Sequence, residues 1–449
     1  MNGYRFTGAV AIVVDGRTER GAGAELVVRD GVVHGSARGD ETEIDATGCV
    51  ITPGLVNAHH HLLQSAFRTD PGTRSVPMSV WLETMAAAYA RIGVDAELAG
   101  AAAAVGIAEG LLAGVTTVAD HHLTWPTGAD GLAIATATAD AAVALGGRLV
   151  FVRGAARDDP QEAAARTAEI AAAWLGDDPA EDAAVAGVTR GGMLQLAVGP
   201  AGVHSDPRET FALLAEVAAR YGLRRRTQAN EQVDVDIALE KYGRRPLDLL
   251  DEWGWLAPDV TLAHLCDVTA GEIDRLAARG VTATHAPGCD VPMGWGVARV
   301  ADLSAAGIPV GLGTSGGGSN DAGHLFADAR LAMQISGLVG PALSARAVLE
   351  MATAGSARGL GRPELGQLRP GAAADVCVWD VSGVADAGVA DPVAGLLWAS
   401  PGRRPRDVFV AGRAVVRDRT LLSADEDDVA ARLNTLLTAR SALADGERT

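Results

Sequence analysis

The chain has 449 residues, of which 48% are hydrophobic, and its formal net charge is −18. This length suffices for a large (β/α)8 barrel with a small second domain, since such barrels commonly take about 250 residues. The negative charge argues against nucleic acid as a partner, because phosphate binding needs clusters of Lys and Arg.

The sequence predicts neither a membrane span nor a secretory leader. The most apolar run, residues 86–105, is interrupted by Arg91, Asp95 and Glu97, and a bilayer needs about 20 apolar residues. The first residues alternate like strands and lack a basic segment followed by an apolar one. The four cysteines form no CxxC pair, which favours reduced thiols in the cytoplasm.

Short strand-like runs occur at both ends of the chain. AVAIVVDG, AELVVRDG and ETEIDATGCVI lie near the beginning, and AADVCVWDVSG and PRDVFVAGRAVVRDRTLL lie near the end. Runs broken by Gly and Asp are typical of hairpins. Because each segment is too small for its own core, residues 1–52 and 359–424 are predicted to form one composite β-sandwich domain.

The central residues 53–358 alternate strand-like runs with Ala- and Leu-rich helical runs. The strand-like runs include GRLVFVRGAA, MLQLAVGP, VTLAHL, VTATHAP and IPVGLGTS. This alternation predicts a (β/α)8 TIM barrel, whose chemistry lies at the carboxyl ends of the strands. Residues 425–449 are predicted to be a closing helix and tail. The run Arg224 to Arg226 starts one strand and is interpreted as a solvated edge.

The strongest local signal is PGLVNAHHH at residues 53–61. Because successive side chains of a strand alternate in direction, His59 and His61 can converge on one ion while His60 faces away. The alternative is a chance cluster of histidines in a loop.

This motif belongs to a set that resembles the amidohydrolase superfamily. The other members are GVTTVADHH at 114–122, TLAH at 261–264, GLGT at 311–314 and GQLRPGAAADV at 366–376. The likeness covers almost the whole chain and is strongest to guanine, 8-oxoguanine and isoxanthopterin deaminases and to triazine hydrolases. It implies a C–N hydrolase acting on a purine, pterin or triazine ring, without an organic cofactor, and it is compatible with a homodimer.

The family pattern implies a divalent metal ion held by the two His of HxH, a His ending strand five and an Asp ending strand eight. A Glu three residues after the strand-five His moves protons, and a strand-six His supports the substrate. The residues of this chain that match are His59, His61, Glu231 and His264. Gln228 and Ser315 stand where the pattern has His and Asp, and Ser319-Asn320-Asp321 fixes that alignment.

These two replacements weaken the expected metal site. Amide and hydroxyl oxygens are poor substitutes for imidazole and carboxylate around zinc. Losing two of four ligands costs very roughly 5 to 8 kcal/mol of the binding free energy. Zinc or another divalent metal is therefore expected to be weakly bound or absent.

Other residues offer a rebuilt metal site. Three histidines, His59, His61 and His264, can form a weaker site with Glu231. The further candidates are His121, His122, His204, His285, Cys289 and Asp290. The roles of His121, His285, Cys266 and Cys289 stay open, and Cys266 also suits a small packed residue.

Without a metal, the same groups suit acid and base chemistry. Glu231 is then the predicted proton shuttle and His264 the donor to a carbonyl or ring nitrogen. The predicted substrate-binding residues are Gln64, Trp81, His122, His204, Gln228 and Ser315. Glu231 as an exposed residue of a first helical turn, and Trp81 as ordinary core, are the alternatives.

Two functions remain open from the sequence. The first is an enzyme that hydrolyses a C–N bond of a nitrogen heterocycle or performs a metal-independent acid and base reaction on such a ring. The second is a catalytically silent homologue that binds a heterocycle or acts as a scaffolding subunit.

Overall fold

The computed structural model describes residues 3–176, 187–400 and 402–446. The strands of this part are β1 (Tyr4–Thr7), β2 (Ala11–Asp15), β3 (Thr18–Arg20), β4 (Leu26–Arg29), β5 (Val32–His34), β6 (Thr42–Asp45), β7 (Cys49–Pro53), β8 (Leu55–His60), β9 (Val115–His122), β10 (Arg148–Ala155), β11 (Val188–Thr189), β12 (Leu194–Pro200), β13 (Arg224–Ala229), β14 (Val260–His264), β15 (Thr282–His285), β16 (Val310–Leu312), β17 (Val376–Asp380), β18 (Asp407–Val410), β19 (Arg413–Arg417) and β20 (Thr420–Leu421).

The α-helices are α1 (Met78–Ile92), α2 (Ala96–Leu112), α3 (Gly131–Leu145), α4 (Pro160–Leu175), α5 (Arg208–Tyr221), α6 (Gln232–Tyr242), α7 (Pro246–Glu252), α8 (Ala270–Arg279), α9 (Pro287–Asp290), α10 (Val300–Ala305), α11 (Leu325–Ser336), α12 (Ala345–Glu350), α13 (Ser356–Gly359), α14 (Pro392–Trp398) and α15 (Glu426–Gly446). Short 3-10 helices lie at Leu62–Ala66, Arg190–Gly192 and Val384–Asp386, and a π-helical turn lies at Met351–Gly355.

The central sheet is a (β/α)8 barrel, as the sequence predicted. Its eight strands run parallel, and hydrogen-bonded neighbours follow the order β16-β15-β14-β13-β12-β10-β9-β8. The barrel closes where His60 bridges Ser315, and the carbonyl of His59 accepts hydrogen bonds from the amides of Thr314 and Ser315 at 3.0 and 2.9 Å. The closure therefore fixes the first and last strands at the end where their functional side chains lie.

Both chain ends build a β-sandwich beside the barrel. One sheet has the order β5-β4-β1-β6, and the other has the order β20-β19-β18-β17-β7-β2-β3. Strand β7 pairs antiparallel with β17, which joins the two ends of the chain. The facing sheets share a core that includes Phe6, Ile12, Ile51 and Phe409.

The barrel strands bury polar side chains as well as apolar ones. All residues of β9, β10 and β12 are buried, as expected for parallel strands that are covered on both faces. Arg226 of β13 is only 3% exposed, so the interpretation of 224–226 as a solvated edge is wrong for this residue. It shares the inward face of β13 with Gln228, because side chains two residues apart point the same way.

Of the helices that the structure describes, none has both the length and the apolar character that are needed to cross a membrane.

A buried ion pair joins the barrel to the sandwich. Arg148 of β10 donates from Nε and Nη2 to Asp375 just before β17, at 2.8 and 3.0 Å, and both side chains are buried. Asp375 also accepts the amide of Ala411 at 2.7 Å. Removing the arginine would leave an unpaired carboxylate inside the protein.

We expect Arg148→Met to lower the free energy of unfolding by about 3 to 5 kcal/mol, because one partner of a buried pair is stranded. Arg166→Met is the control, since Arg166 and Glu162 form a half-exposed pair at 3.6 Å, for which a loss of less than about 1 kcal/mol is expected. Urea denaturation followed by fluorescence measures both. Equal small losses would contradict a structural role for the buried pair.

Candidate active site

A cavity of about 560 Å³ opens at the carboxyl ends of the barrel strands. Its walls carry aromatic and thioether side chains from Met78, Trp81, Met85, Tyr89, Trp125 and Trp295. Its polar lining includes His61, Gln64, Arg157, Asp158, His204, Gln228, Glu231 and Ser315. Flat apolar walls with few polar groups are typical of a small-molecule site.

The structure brings most of the predicted site residues together. Gln64, Trp81, His204, Gln228, Glu231 and Ser315 all line the cavity. His59 and His264 lie buried beside it, with ring centroids 5.1 Å apart. His122 is absent from the cavity lining, because its ring packs against Trp125 and Phe151 with centroids 4.6 and 5.8 Å away.

His264 has hydrogen-bond partners at both ring nitrogens. Its Nδ1 faces the carboxylate of Asp290 at 2.6 Å, and its Nε2 faces Oε1 of Gln228 at 3.0 Å. Gln228 donates from Nε2 to the carbonyl of Ala201 at 3.2 Å, so its oxygen is the atom turned toward His264. An amide oxygen and a carboxylate only accept, so both nitrogens of His264 must donate. The geometry therefore favours an imidazolium.

Charges at the site support this protonation state. Burial and, to a smaller extent, the charge of Arg226 lower the pKa of His264, but the carboxylates of Asp290 and Glu231 outweigh both and raise the pKa above its usual value. Burial likewise opposes ionisation of Asp290, yet His264 and His285 lower its pKa to about 2. The ring of Trp295 stands edge-on to His264, with centroids 5.3 Å apart, and shields the pair.

Glu231 lies 3.5 Å from Nε2 of His264 and is 1% exposed. It directly precedes α6, and its side chain is buried and does not cap the helix. The alternative of an exposed first-turn residue is therefore wrong. Its Oε2 has no hydrogen-bond partner among the residues that the structure describes. Burial raises the pKa of Glu231, and His264 and His204 offset only part of that rise.

His204, like His264, has a carboxylate as its hydrogen-bond partner. Its Nδ1 lies 3.2 Å from Oδ1 of Asp234. Burial lowers the pKa of His204, but the hydrogen bond and charge of Asp234 reverse this effect and raise it.

Several backbone angles around the site are strained. Asn230, His264, Leu265 and Ser315 have φ values of 53°, 74°, 55° and 57°. The left-handed region is unfavourable for residues other than glycine, and such strain clusters at functional sites.

The family's four-ligand metal site does not fit these residues. His61 is fixed by its Nδ1 contact of 2.7 Å with the carbonyl of His121, and both buried nitrogens of His59 lack a partner in the described part of the chain. Two imidazoles are therefore available. Gln228 and Ser315 offer only neutral oxygens, and that of Gln228 is engaged by His264. Zinc in proteins takes at least three protein ligands.

The rebuilt metal site is only partly assembled. Among the described residues, the ligand atoms of His264, Cys289 and Asp290 lie within 4.8 Å of one another. His264 and Asp290 already satisfy each other, however, and burial raises the pKa of the Cys289 thiol and disfavours the thiolate. His121 is engaged elsewhere, with its Nε2 at 3.0 Å from the carbonyl of Gly199.

Sequence reasoning missed two contributors. The sequence marks Asp290 only as a candidate metal ligand, whereas in the structure its partner is an imidazole 26 positions earlier. The run of three arginines predicts a solvated edge, whereas the spacing of two between Arg226 and Gln228 on one strand indicates an inward side chain.

Comparisons with known proteins agree with this architecture. Residues 50–415 match the amidohydrolase family. An 8-oxoguanine deaminase of Pseudomonas aeruginosa is 34% identical over 87% of this chain and 89% of that one. An isoxanthopterin deaminase from an unknown prokaryote is 33% identical over 86% and 85%. The zinc-bound atrazine chlorohydrolase of Arthrobacter aurescens superposes with a TM-score of 0.88 at 33% identity, over 97% of this chain and 100% of that one.

We expect Asp290→Asn to lower the pKa of His264, because burial then acts against a weaker opposing charge. In the native protein, the raised pKa stabilises the fold at acidic pH, and this contribution is lost as pH rises through the folded pKa. Histidine-selective ¹³C NMR measures the titration, and His264→Gln identifies the signal. Asp274→Asn, on the exposed side of α8, is the control. An unchanged titration in Asp290→Asn would contradict the ion pair.

Proposed function

The chain belongs to the amidohydrolase family and is a hydrolase of non-peptide C–N bonds, and we propose that its substrate is a small, flat nitrogen heterocycle which water attacks without a bound metal ion. The 8-oxoguanine and isoxanthopterin deaminases and the atrazine chlorohydrolase described above are all named for such rings. Their similarity to this chain supports the ring class. The metal-free part rests on the donor set of the site.

The cavity suits a flat ring. The indole of Trp81 is held by its Nε1 hydrogen bond to the carbonyl of Gly318 at 3.1 Å and offers a stacking face. Gln64 donates from Nε2 to the hydroxyl of Tyr89 at 3.0 Å, and its buried Oε1 has no partner among the described residues. A rotation of the Gln64 side chain would let that oxygen accept an N–H of a bound heterocycle. Selectivity among rings would follow from such a polar contact, because a ring that lacks the matching group would leave a buried polar atom without a hydrogen bond.

The observation that carries the reaction is the adjacency of Glu231 and His264. A buried carboxylate takes a proton from water as the water oxygen adds to the ring carbon that bears the amino group. The imidazolium of His264 donates a hydrogen bond to the ring nitrogen or carbonyl on which negative charge develops. Glu231 then gives its proton to the leaving amine. The C–O bond replaces the C–N bond, and ammonia departs.

The remaining polar groups would orient the ring. His204, held by Asp234, can donate to a second ring acceptor. Ser315 and Gln228 line the same end of the cavity, where a hydroxyl and an amide offer neutral hydrogen bonds. His122 keeps its predicted substrate role only if its contacts with Trp125 and Phe151 rearrange.

The setting of the enzyme belongs to the same proposal. All four cysteines are free and buried, which supports a reducing, cytoplasmic compartment. A homodimer stays an expectation from the resemblance.

We expect Glu231→Gln to lower ammonia release by about a thousandfold, because general acid and base groups contribute about a hundred- to ten-thousandfold. The substrate panel is 8-oxoguanine, isoxanthopterin, 5′-methylthioadenosine and an aminotriazine, with ammonia measured by a coupled enzymatic assay. Glu240→Gln is the control, since Glu240 is exposed on the same helix α6.

Turnover that survives Glu231→Gln would refute the proton-shuttle role. If the native protein binds a ring of the panel tightly by calorimetry and releases no ammonia, the silent binding homologue is favoured instead.

A further inference from the structure

Arg226 is a buried cation on the inner face of the barrel. Its side chain extends from β13 and is 3% exposed. Its guanidinium donates from Nη2 to the neutral hydroxyl of Thr284 at 3.2 Å, and its Nε meets no partner among the described residues. Within the described residues, no carboxylate forms an ion pair with Arg226, although the neighbouring Arg225 has one with Asp259. An unpaired buried charge is costly, so a compensating use is expected.

The position of this charge is beneath the candidate site. Arg226 precedes Gln228 by two residues on the same strand face, so it lies one step deeper than the cavity lining. Its partner Thr284 is on β15, and β13 and β15 both pair with β14, so the guanidinium passes in front of β14 inside the barrel. Strand β14 ends in His264.

The field of Arg226 acts on the histidines around it. Burial lowers the pKa of His59 well below its usual range, and the charges of His61 and Arg226 lower it further. Burial lowers the pKa of His121 to about 3, and Arg226 adds to that effect. Burial also lowers the pKa of Arg226 itself, to about 9, which leaves it charged at neutral pH.

We propose that Arg226 supplies, from beneath the site, the positive charge that a zinc ion supplies in the related atrazine chlorohydrolase, and that this charge keeps divalent cations out of the barrel mouth. A fixed cation there repels a second one in a region of low dielectric constant. It also favours negative charge that develops on a bound ring, a part of the argument that rests on the proposed function. Ser315, in place of the family's carboxylate, is consistent with this proposal. Without a metal ion, the site has no divalent charge for a carboxylate at position 315 to neutralise.

Zinc affinity tests the exclusion without any substrate. The starting variant carries Gln228→His and Ser315→Asp, which restores an imidazole and a carboxylate beside His59 and His61. We expect this variant to bind zinc weakly, and the addition of Arg226→Met to tighten binding by about tenfold or more. Addition of Arg226→Lys, which keeps the charge, is expected to leave the affinity unchanged. Competition with a chromogenic chelator gives the dissociation constants.

The outcome of the affinity comparison is decisive in either direction. Equal zinc affinities with Met and with Lys at position 226 would overturn the proposal. The single variant Arg226→Met should stay folded, with a thermal midpoint equal to or above that of the native chain, because an unpaired buried charge is removed. Loss of the fold would overturn the proposal as well, since it would show that Arg226 serves the architecture.

Ammonia release tests the catalytic part separately. On a substrate of the panel above, Arg226→Met should lower turnover while Arg226→Lys retains most of it. If zinc is excluded as expected but Arg226→Met turns over normally, the charge has no catalytic use. If no ring is turned over by the native chain, the proposed function fails and the zinc result still stands.

Discussion

The 2.6 Å contact between His264 and Asp290 determines how the other groups at the barrel mouth are used. A carboxylate at Nδ1 holds the imidazole as a donor at both nitrogens, and the amide oxygen of Gln228 completes the arrangement at Nε2. A histidine bound in this way is unavailable to a metal ion, but it is well placed to stabilise negative charge. Glu231, 3.5 Å from Nε2, is the second carboxylate beside this imidazole.

The barrel explains why a serine at position 315, where the family pattern has an aspartate, is compatible with the fold. The closure between His59 and the Thr314–Ser315 backbone uses main-chain atoms, so it is indifferent to the side chain at position 315. The strand ends place Gln228 and Ser315 in the lining of one cavity and His264 beside it. Fold and function are therefore separable in this protein, as in barrels generally.

The sequence predicted the barrel, because the alternation of strands and helices depends on local periodicity. The replacements at positions 228 and 315 stay an inference from motif spacing. The sequence did not predict the contacts between side chains of distant segments. Nothing local shows that Asp290 reaches His264, or which of the adjacent His121 and His122 turns inward. A run of arginines at a strand start reads as solvent-exposed, and only the inward alternation of β13 buries Arg226.

The central claim is that this site works without a metal ion, and the metal content of the purified chain tests it most directly. The protein would be exposed briefly to zinc, manganese and iron, desalted and analysed by elemental mass spectrometry. The account predicts a metal content below about a tenth of an equivalent per chain, since two available imidazoles do not retain zinc. Close to one equivalent per chain would contradict the account and indicate a rebuilt site.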